Sequence, residues 1–494
     1  MMKNTVKQYL TALLLLSVAG TALFSCGDTD TYEETQPSDS QDKSDRIWLD
    51  SLEDKSFGKE FNFLVRESRI KEIEGSSEDS GDVLSEALYR RDAVIEERFG
   101  VEIGYITVID NREQWNSLID QDVMGNVGAY DAVMPDYWYG CETRFQFIDL
   151  NDYTHIMDFS KPWWYKGWNK NAEIEGQLYT AVGSMNLDTI RNTIAIYVNS
   201  NLADANGLPD MFELVYDGKW TLDKFIEFAA EAVSDDSGNG KIGLTEGDTV
   251  GAYLGRQQAD HMWINYGVEY TSLNEDGEWS YDGFVSERTV DVYNKVVSMW
   301  KNDAFYFGES MNEEDYTINT ESANAQSAFM NDDLLFFGGQ LRSTEQFRDM
   351  KGDFTIIPFP KYDEEQEDYV SGNFGVCYFA IPVSAKDPVM SATILEAINA
   401  ESYRSVVPAY YENALKVKYT RDGGETAEML DFITERVHFD FGMVNHASLG
   451  GIKSFLAIQL YNGNESITSA WESQRSSYEG LLDKLLESYA EMAE

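Results

Sequence analysis

The alternation of strand and helix signals between Phe61 and Met134 constrains the fold of this 494-residue chain more than any other feature. Phe61, Phe63 and Val65 alternate as a strand, and Val83, Leu84, Ala87, Leu88, Val94, Ile95 and Phe99 recur at helical spacing. Gly100 then stops the helix, and Val101, Ile103 and Tyr105 alternate again, completing a β-α-β unit. A further helix around Arg112 to Asp122 leads to the short buried strand Ala132-Val133-Met134, so the pattern predicts an α/β fold with an open parallel sheet. Ligands of such sheets sit beyond the carboxyl ends of the strands. Those ends place Arg66 and Glu67 after the first strand and Asp136, Tyr137, Trp138 and Tyr139 after the third. Three adjacent aromatics in a loop suit either stacking on a ligand or packing against a neighbouring loop.

A second sheet is expected to begin at Ile194-Ala195-Ile196-Tyr197-Val198. Beyond it, Thr221 is a good amino-terminal cap, Asp223 favours the positive end of the helix, and Trp220 can pack on Phe225 as a hydrophobic staple. The Trp220 motif therefore reads as structural. The helix runs on through Ile226, Ala229, Ala232 and Val233 into the strongest local motif of the chain.

From Asp235 to Glu246 the segment places oxygen donors at loop positions one, three and five in Asp235, Ser237 and Asn239, Gly240 at six, Ile242 at eight and Glu246 at twelve. That is the spacing of an EF-hand calcium loop, in which a hard cation takes about six to eight oxygens and the Lys241 carbonyl adds one. Ser237 in place of an acid lowers the ligand charge. Structural Ca2+ is the expected cofactor, a polar surface turn the competing account, and no second loop suggests a calcium sensor.

At the amino terminus, Lys3 and Lys7 precede an apolar run from Leu10 to Leu23 that closes at Leu23-Phe24-Ser25-Cys26. The run is short of the about 20 apolar residues of a membrane span and fits a cleaved export signal ending in a lipoprotein box. Residues 1–25 are expected to be removed, with Cys26 lipid-modified and residues 26–56 forming an acidic tether too poor in apolar residues to fold. The chain carries 38 Lys plus Arg against 87 Asp plus Glu. Such a field excludes nucleic acid as a partner. The 26 Phe, 29 Tyr and 11 Trp nevertheless supply a large core. Cys141 and Cys377 read as ordinary buried thiols.

Catalytic constellations are scarce. His155, His261, His438 and His446 lie in no zinc-protease motif, and neither a phosphate-binding glycine loop nor a Gly-x-Ser-x-Gly elbow is present. No catalytic residue is assigned, and the chain is not expected to be an enzyme.

Over nearly all of its body the chain resembles the extracellular solute-binding proteins of bacterial ATP-driven importers, in the sugar-binding group. The resemblance rests on Arg90 through Gly100, Tyr130-Asp131-Ala132-Val133, Leu178 through Gly183, Gly218 through Asp223, the calcium-like loop, Ala328-Phe329-Met330-Asn331 and Ile356 through Lys361. It implies a two-lobed type II periplasmic-binding-protein-like fold with hinge crossovers, a monomer binding an oligosaccharide between the lobes and handing it to the transmembrane permease of an ABC transporter. Residues 57–188 plus 338–374 would form the first lobe and residues 189–337 plus 375–494 the second. The crossovers would follow Val182-Gly183, lie at Leu335 through Gln340, and lie at Gly372 through Gly375. Cleft residues implied are Arg66, Asp136, Tyr137, Trp138, Asn186, Asp188, Tyr253, Gln258, Trp263, Phe337, Gln340 and Asn373. A surface glycan-binding adhesin and a secreted glycosidase are the alternatives, the latter without support from any motif.

Overall fold

The computed structural model describes residues 52–53, 55–76, 82–135, 144–275, 277–308, 320–411 and 425–493. Two sheets organise them. Strands β1 (Lys59–Arg66), β2 (Val101–Val108) and β3 (Ala132–Met134) form the first, in the order β2-β1-β3 with both pairings parallel. The helix Val83–Phe99 connects β1 to β2 as the sequence pattern predicts, burying Leu88, Ile95 and Phe99. Asp82 caps it by accepting from the Leu84 N–H at 3.0 Å, and Gly100 closes it in the left-handed region at φ +59°, where a side chain would be strained.

The second sheet holds β4 (Ile194–Asn199), β5 (Val250–Leu254), β8 (Phe305–Phe307), β9 (Leu334–Gln340) and β10 (Phe354–Ile357) in the order β10-β4-β9-β5-β8; β6 (Ser272–Leu273) and β7 (Trp279–Ser280) pair as a separate hairpin. Every residue of β4, β5 and β9 is buried, the continuous apolar reading of strands covered on both faces. Trp220 lies under this sheet, edge-on to Phe225 at 5.8 Å with its indole N–H donated to the Pro358 carbonyl at 2.9 Å, so the staple has its expected structural role. Thr221 caps the following helix at Lys224 N.

Strand pairing corrects the expected lobe boundaries. Residues 338–374 do not join the first sheet: Gln340 pairs with Ile194, and Phe354 through Ile357 pair with Asn199 through Ile196. Leu335 through Gln340 is thus a central strand and not a crossover. Instead the chain returns to the first sheet after Gly375, where Phe379 bridges Ala181, Ala380 bridges Val133 and Pro382 bridges Phe147. The helix Pro388–Glu401 follows, packed against Val83–Phe99. An apolar run such as Leu334 to Phe337 states that a strand is buried, while its partner depends on contacts far away in sequence.

The last helix, Ile467–Ala493, ties both halves together. Trp471 packs against Phe284 and Phe455, near the second sheet, whereas Tyr489 meets Phe145 and Tyr179 beside the first. Buried Arg144 donates to Asn445 Oδ1 at 2.8 Å, Tyr489 Oη at 3.2 Å and Ser448 Oγ at 3.2 Å, fixing that end. No helix among the described residues is long and apolar enough to cross a membrane.

Candidate functional site at the crossovers

Two antiparallel segments carry the chain between the sheets, residues 184–193 outward and 371–376 back, and buried amides stitch them together. Asn186 donates to the Cys377 carbonyl at 2.7 Å and Asn192 to the Gly375 carbonyl at 2.7 Å. Asn373 donates to the carbonyls of Asp188 and Thr189 and to Thr193 Oγ1, at 3.2, 3.3 and 3.2 Å. Gly183 opens the outward segment because the Asn399 side chain, which accepts the Met185 N–H at 2.8 Å, leaves a Cβ only 2.3 Å from Oδ1. The amides of Asn186 and Asn373, implied as ligand contacts, are therefore engaged within the crossovers, and the Cys377 side chain is buried beside Asp188.

Asp188 anchors a charge cluster on this frame. Its carboxylate accepts from Arg69 Nη1 at 3.1 Å and from the Cys377 N–H at 3.0 Å. Burial works to raise its pKa, but Arg69, Cys377 and Arg191 outweigh it and hold the carboxyl below its ordinary value. Arg69 also pairs with Glu72 at 3.0 Å, while Arg191 spans Glu72 at 3.4 Å and Glu345 at 3.3 Å. Arg69 and Glu72 lie just past the carboxyl end of β1, and Arg342 and Glu345 lie on the short 3-10 helix Leu341–Glu345 just past the carboxyl end of β9. The cluster thus joins the carboxyl ends of β1 in the first sheet and β9 in the second.

A second polar group abuts the returning segment. His261 ends the helix Arg256–His261 that follows β5; its Nδ1 lies 2.8 Å from the Gln257 carbonyl and its Nε2 3.0 Å from Lys453 Nζ. Lys453 borders a hollow walled by Trp168, Phe374, Phe439 and Met443 with Asn373 and Gly375 at its edge. The hollow encloses only about 10 Å³, room for about one water molecule, and the Asn373 amide at its edge is engaged within the crossovers.

The remaining expected residues divide sharply. Arg66 is buried and pairs with Asp110 at 3.1 Å. Trp263 is a core residue, stacked on Tyr293 at 5.9 Å and donating to the Ala259 carbonyl at 2.7 Å. Phe337 is core as well, among Tyr197, Phe329 and Phe347. Tyr253 stacks on Phe337 at 5.6 Å and on Tyr306 at 6.2 Å, Gln258 is buried, and Gln340 donates to Gln257 Oε1 at 3.0 Å. Asp136, Tyr137 and Trp138 lie outside the described residues, as do Tyr139, Cys26 and Cys141. Sequence reading missed Arg69, Glu72, Arg191, Arg342 and Lys453. The signal available for the first two was their place directly after a strand end, next to Arg66.

In the calcium-like loop, Asp235 turns inward to accept the N–H groups of Gly238, Asn239 and Gly240, which hold its carboxyl below the usual range. Asn239 bonds to Glu246, bringing positions five and twelve together. Asp248, not singled out by the spacing, accepts from the N–H groups of Ser237 and Gly243 at 2.9 and 3.2 Å and closes the loop from below. Asn239 turns its amide nitrogen to Glu246 while its oxygen accepts the Lys241 N–H, and among the described residues no group of three or more His, Cys, Asp or Glu side chains is placed to hold a metal ion.

No family model matches the chain. None of the curated proteins matches it either. Solved structures do. The GacH receptor of Streptomyces glaucescens, solved unliganded and with acarbose, is 14% identical with a TM-score of 0.53, covering 86% of this chain and 98% of its own. A sugar transporter of Rhizobium etli in an open conformation is 12% identical with a TM-score of 0.56, covering 85% and 99%. UgpB of Mycobacterium tuberculosis, bound to glycerophosphocholine, is 14% identical with a TM-score of 0.55, covering 86% and 99%. At these identities the likeness establishes the fold: the chain has the two-lobed α/β architecture of the periplasmic binding proteins.

Proposed function

We propose that this protein is the lipid-anchored, extracytoplasmic substrate-binding component of an ABC importer and that it binds an oligosaccharide between its two lobes. One observation carries the reading: across more than four-fifths of the chain the fold is that of proteins described as sugar receptors and transporters, covering nearly the whole of each. The strand ends of both sheets converge on the crossovers, as a ligand held by lobe closure requires. The loop from Asp235 to Glu246 enters as a structural Ca2+ site on the strength of its EF-hand spacing. Export and attachment through Cys26, a permease as partner and a monomeric state complete the proposal, and no catalytic residue belongs to it.

The test is thermal unfolding of the lipid-free protein, beginning after the tether, against oligosaccharides, amino acids, peptides and polyamines. A solute at 100 times its dissociation constant adds about 2.7 kcal/mol, a readily measured rise in Tm. A rise with one saccharide class and no product formation supports the reading. Conversion of the sugar at catalytic protein concentrations, abolished by changing one carboxylate, would replace it with a hydrolase.

A further inference from the structure

We propose that the crossover end of the cleft is an oxyanion site built by Arg191, Arg342 and Tyr410, so that the saccharide taken by this protein is an acidic one carrying a carboxylate or sulfate group. The proposal rests on the saccharide-binding reading above and narrows it to a ligand class.

Its basis is a surplus of donors. Arg191 Nε and the Tyr410 hydroxyl are buried and have no hydrogen-bond partner among the described residues. The guanidinium of Arg342, depressed in pKa by burial and by neighbouring Arg69, feels Glu72 and Asp188 only through charge, and no described residue accepts a hydrogen bond from it. These groups share one neighbourhood: Arg191 Cζ lies 5.8 Å from the Tyr410 ring centroid, and the Tyr410 phenol senses Arg191, Glu345 and Arg342. The nearby acceptors are already engaged. Glu72 is taken by Arg69 and Arg191, Asp188 by Arg69 and the Cys377 N–H, and Glu345 by Arg191.

Buried donors without an acceptor carry a desolvation penalty that an incoming acceptor relieves. Two guanidinium groups and a phenol suit a planar or tetrahedral oxyanion, which takes forked N–H donors and an O–H at once; a neutral hydroxyl brings fewer lone pairs and a hydrogen of its own. Within a chain of net charge −49, three arginines, Arg69, Arg191 and Arg342, gather there beside Glu72, Asp188 and Glu345, a locally balanced group in an otherwise acidic chain. The donors come from different parts of the fold. Arg191 stands on the crossover helix Asp188–Arg191, Arg342 follows β9 of the second sheet, and Tyr410 ends the helix Val407–Tyr410, packed on Val83–Phe99 beside the first. An anion held by all three links closure of the lobes to its own charge.

The test is calorimetric titration of the mature, lipid-free protein with uronate- and sulfate-bearing oligosaccharides, their neutral counterparts of equal length, and inorganic sulfate. The expected result is an acidic oligosaccharide bound at least 100-fold more tightly than its neutral counterpart. Arg342→Gln should weaken it tenfold or more with an unchanged melting temperature, and Tyr410→Phe several-fold. Equal affinity for neutral and acidic sugars, insensitive to Arg342→Gln, overturns the oxyanion site and leaves saccharide binding standing. Sulfate bound with no saccharide of either charge overturns the acidic-saccharide assignment together with the saccharide reading, as does the absence of binding by every probe.

Discussion

Lys453 Nζ stands 3.0 Å from Nε2 of His261, and both side chains are buried. Because Nδ1 faces the Gln257 carbonyl, it carries the ring hydrogen, and the imidazole is a neutral acceptor for the ammonium. Burial, then the Lys453 charge, pushes the His261 pKa well below its ordinary value; burial and the same lysine do so for His446. A depressed histidine contributes stability that is complete above the unfolded value of about 6.5 and is lost as pH falls below it. Chemical denaturation of wild type and His261→Gln at pH 7.5, 6 and 5 should show the smaller decline in the variant. Parallel declines would sink this assignment.

Glu396 sets an opposite trend. It accepts the indole N–H of Trp163 at 3.1 Å and of Trp164 at 2.7 Å, yet burial lifts its pKa to about 7 against those two hydrogen bonds. A raised carboxyl contributes stability that is full below its unfolded value and lost as pH climbs toward 7. Glu396→Gln should therefore hold more of its pH 5 melting temperature at pH 8 than wild type does. Equal losses in scanning calorimetry would remove Glu396 from the pH profile.

Asn373→Ala removes three bonds from the crossover pair and leaves the Asp188 and Thr189 carbonyls without that partner. A cost on the order of 2 kcal/mol is expected from urea unfolding. A change below about 0.5 kcal/mol, the ordinary range of a surface substitution, would show that the crossovers do not depend on this amide.

Chelation tests the loop at Asp235. Removing Ca2+ should lower the Tm of wild type, and Asp235→Ala should be less stable and indifferent to chelator, since it loses both a cation ligand and the acceptor of three loop N–H groups. A wild-type Tm unmoved by chelator, with no calorimetric Ca2+ binding, would leave the loop as a hydrogen-bonded turn.

Local chemistry made much of the fold legible. The period-2 run Phe61-Phe63-Val65, the 3.6-period run ending at Gly100 and the cap at Thr221 each depend on near neighbours in sequence, and each stands in the structure where its pattern places it. The segment from Asp235 to Glu246 folds as a turn closed by Asp248, a residue that the calcium-like spacing did not single out. Candidate cleft residues fared differently. Trp263 and Phe337 carry the aromatic character of ligand platforms, yet their faces are taken by Tyr293 and by the rings around Tyr197. An aromatic side chain in a strand or helix is chemically the same on a core face and on a cleft face.

By itself the sequence determined the type of each local element, the acidic charge and the absence of recognisable catalytic motifs, because these follow from composition and from spacings within a few turns of chain. Only the tertiary structure decided that β9 and β10 belong to the second sheet and that residues after Gly375 return to the first, since hydrogen-bond partners such as Gln340 and Ile194 lie far apart in sequence. It alone also brought Arg191, Arg342 and Tyr410 into one neighbourhood in which Arg191 Nε and the Tyr410 hydroxyl are buried without an acceptor among the described residues. Desolvation and unmet hydrogen bonds are properties of the packed neighbourhood, and no residue carries them before the chain has folded.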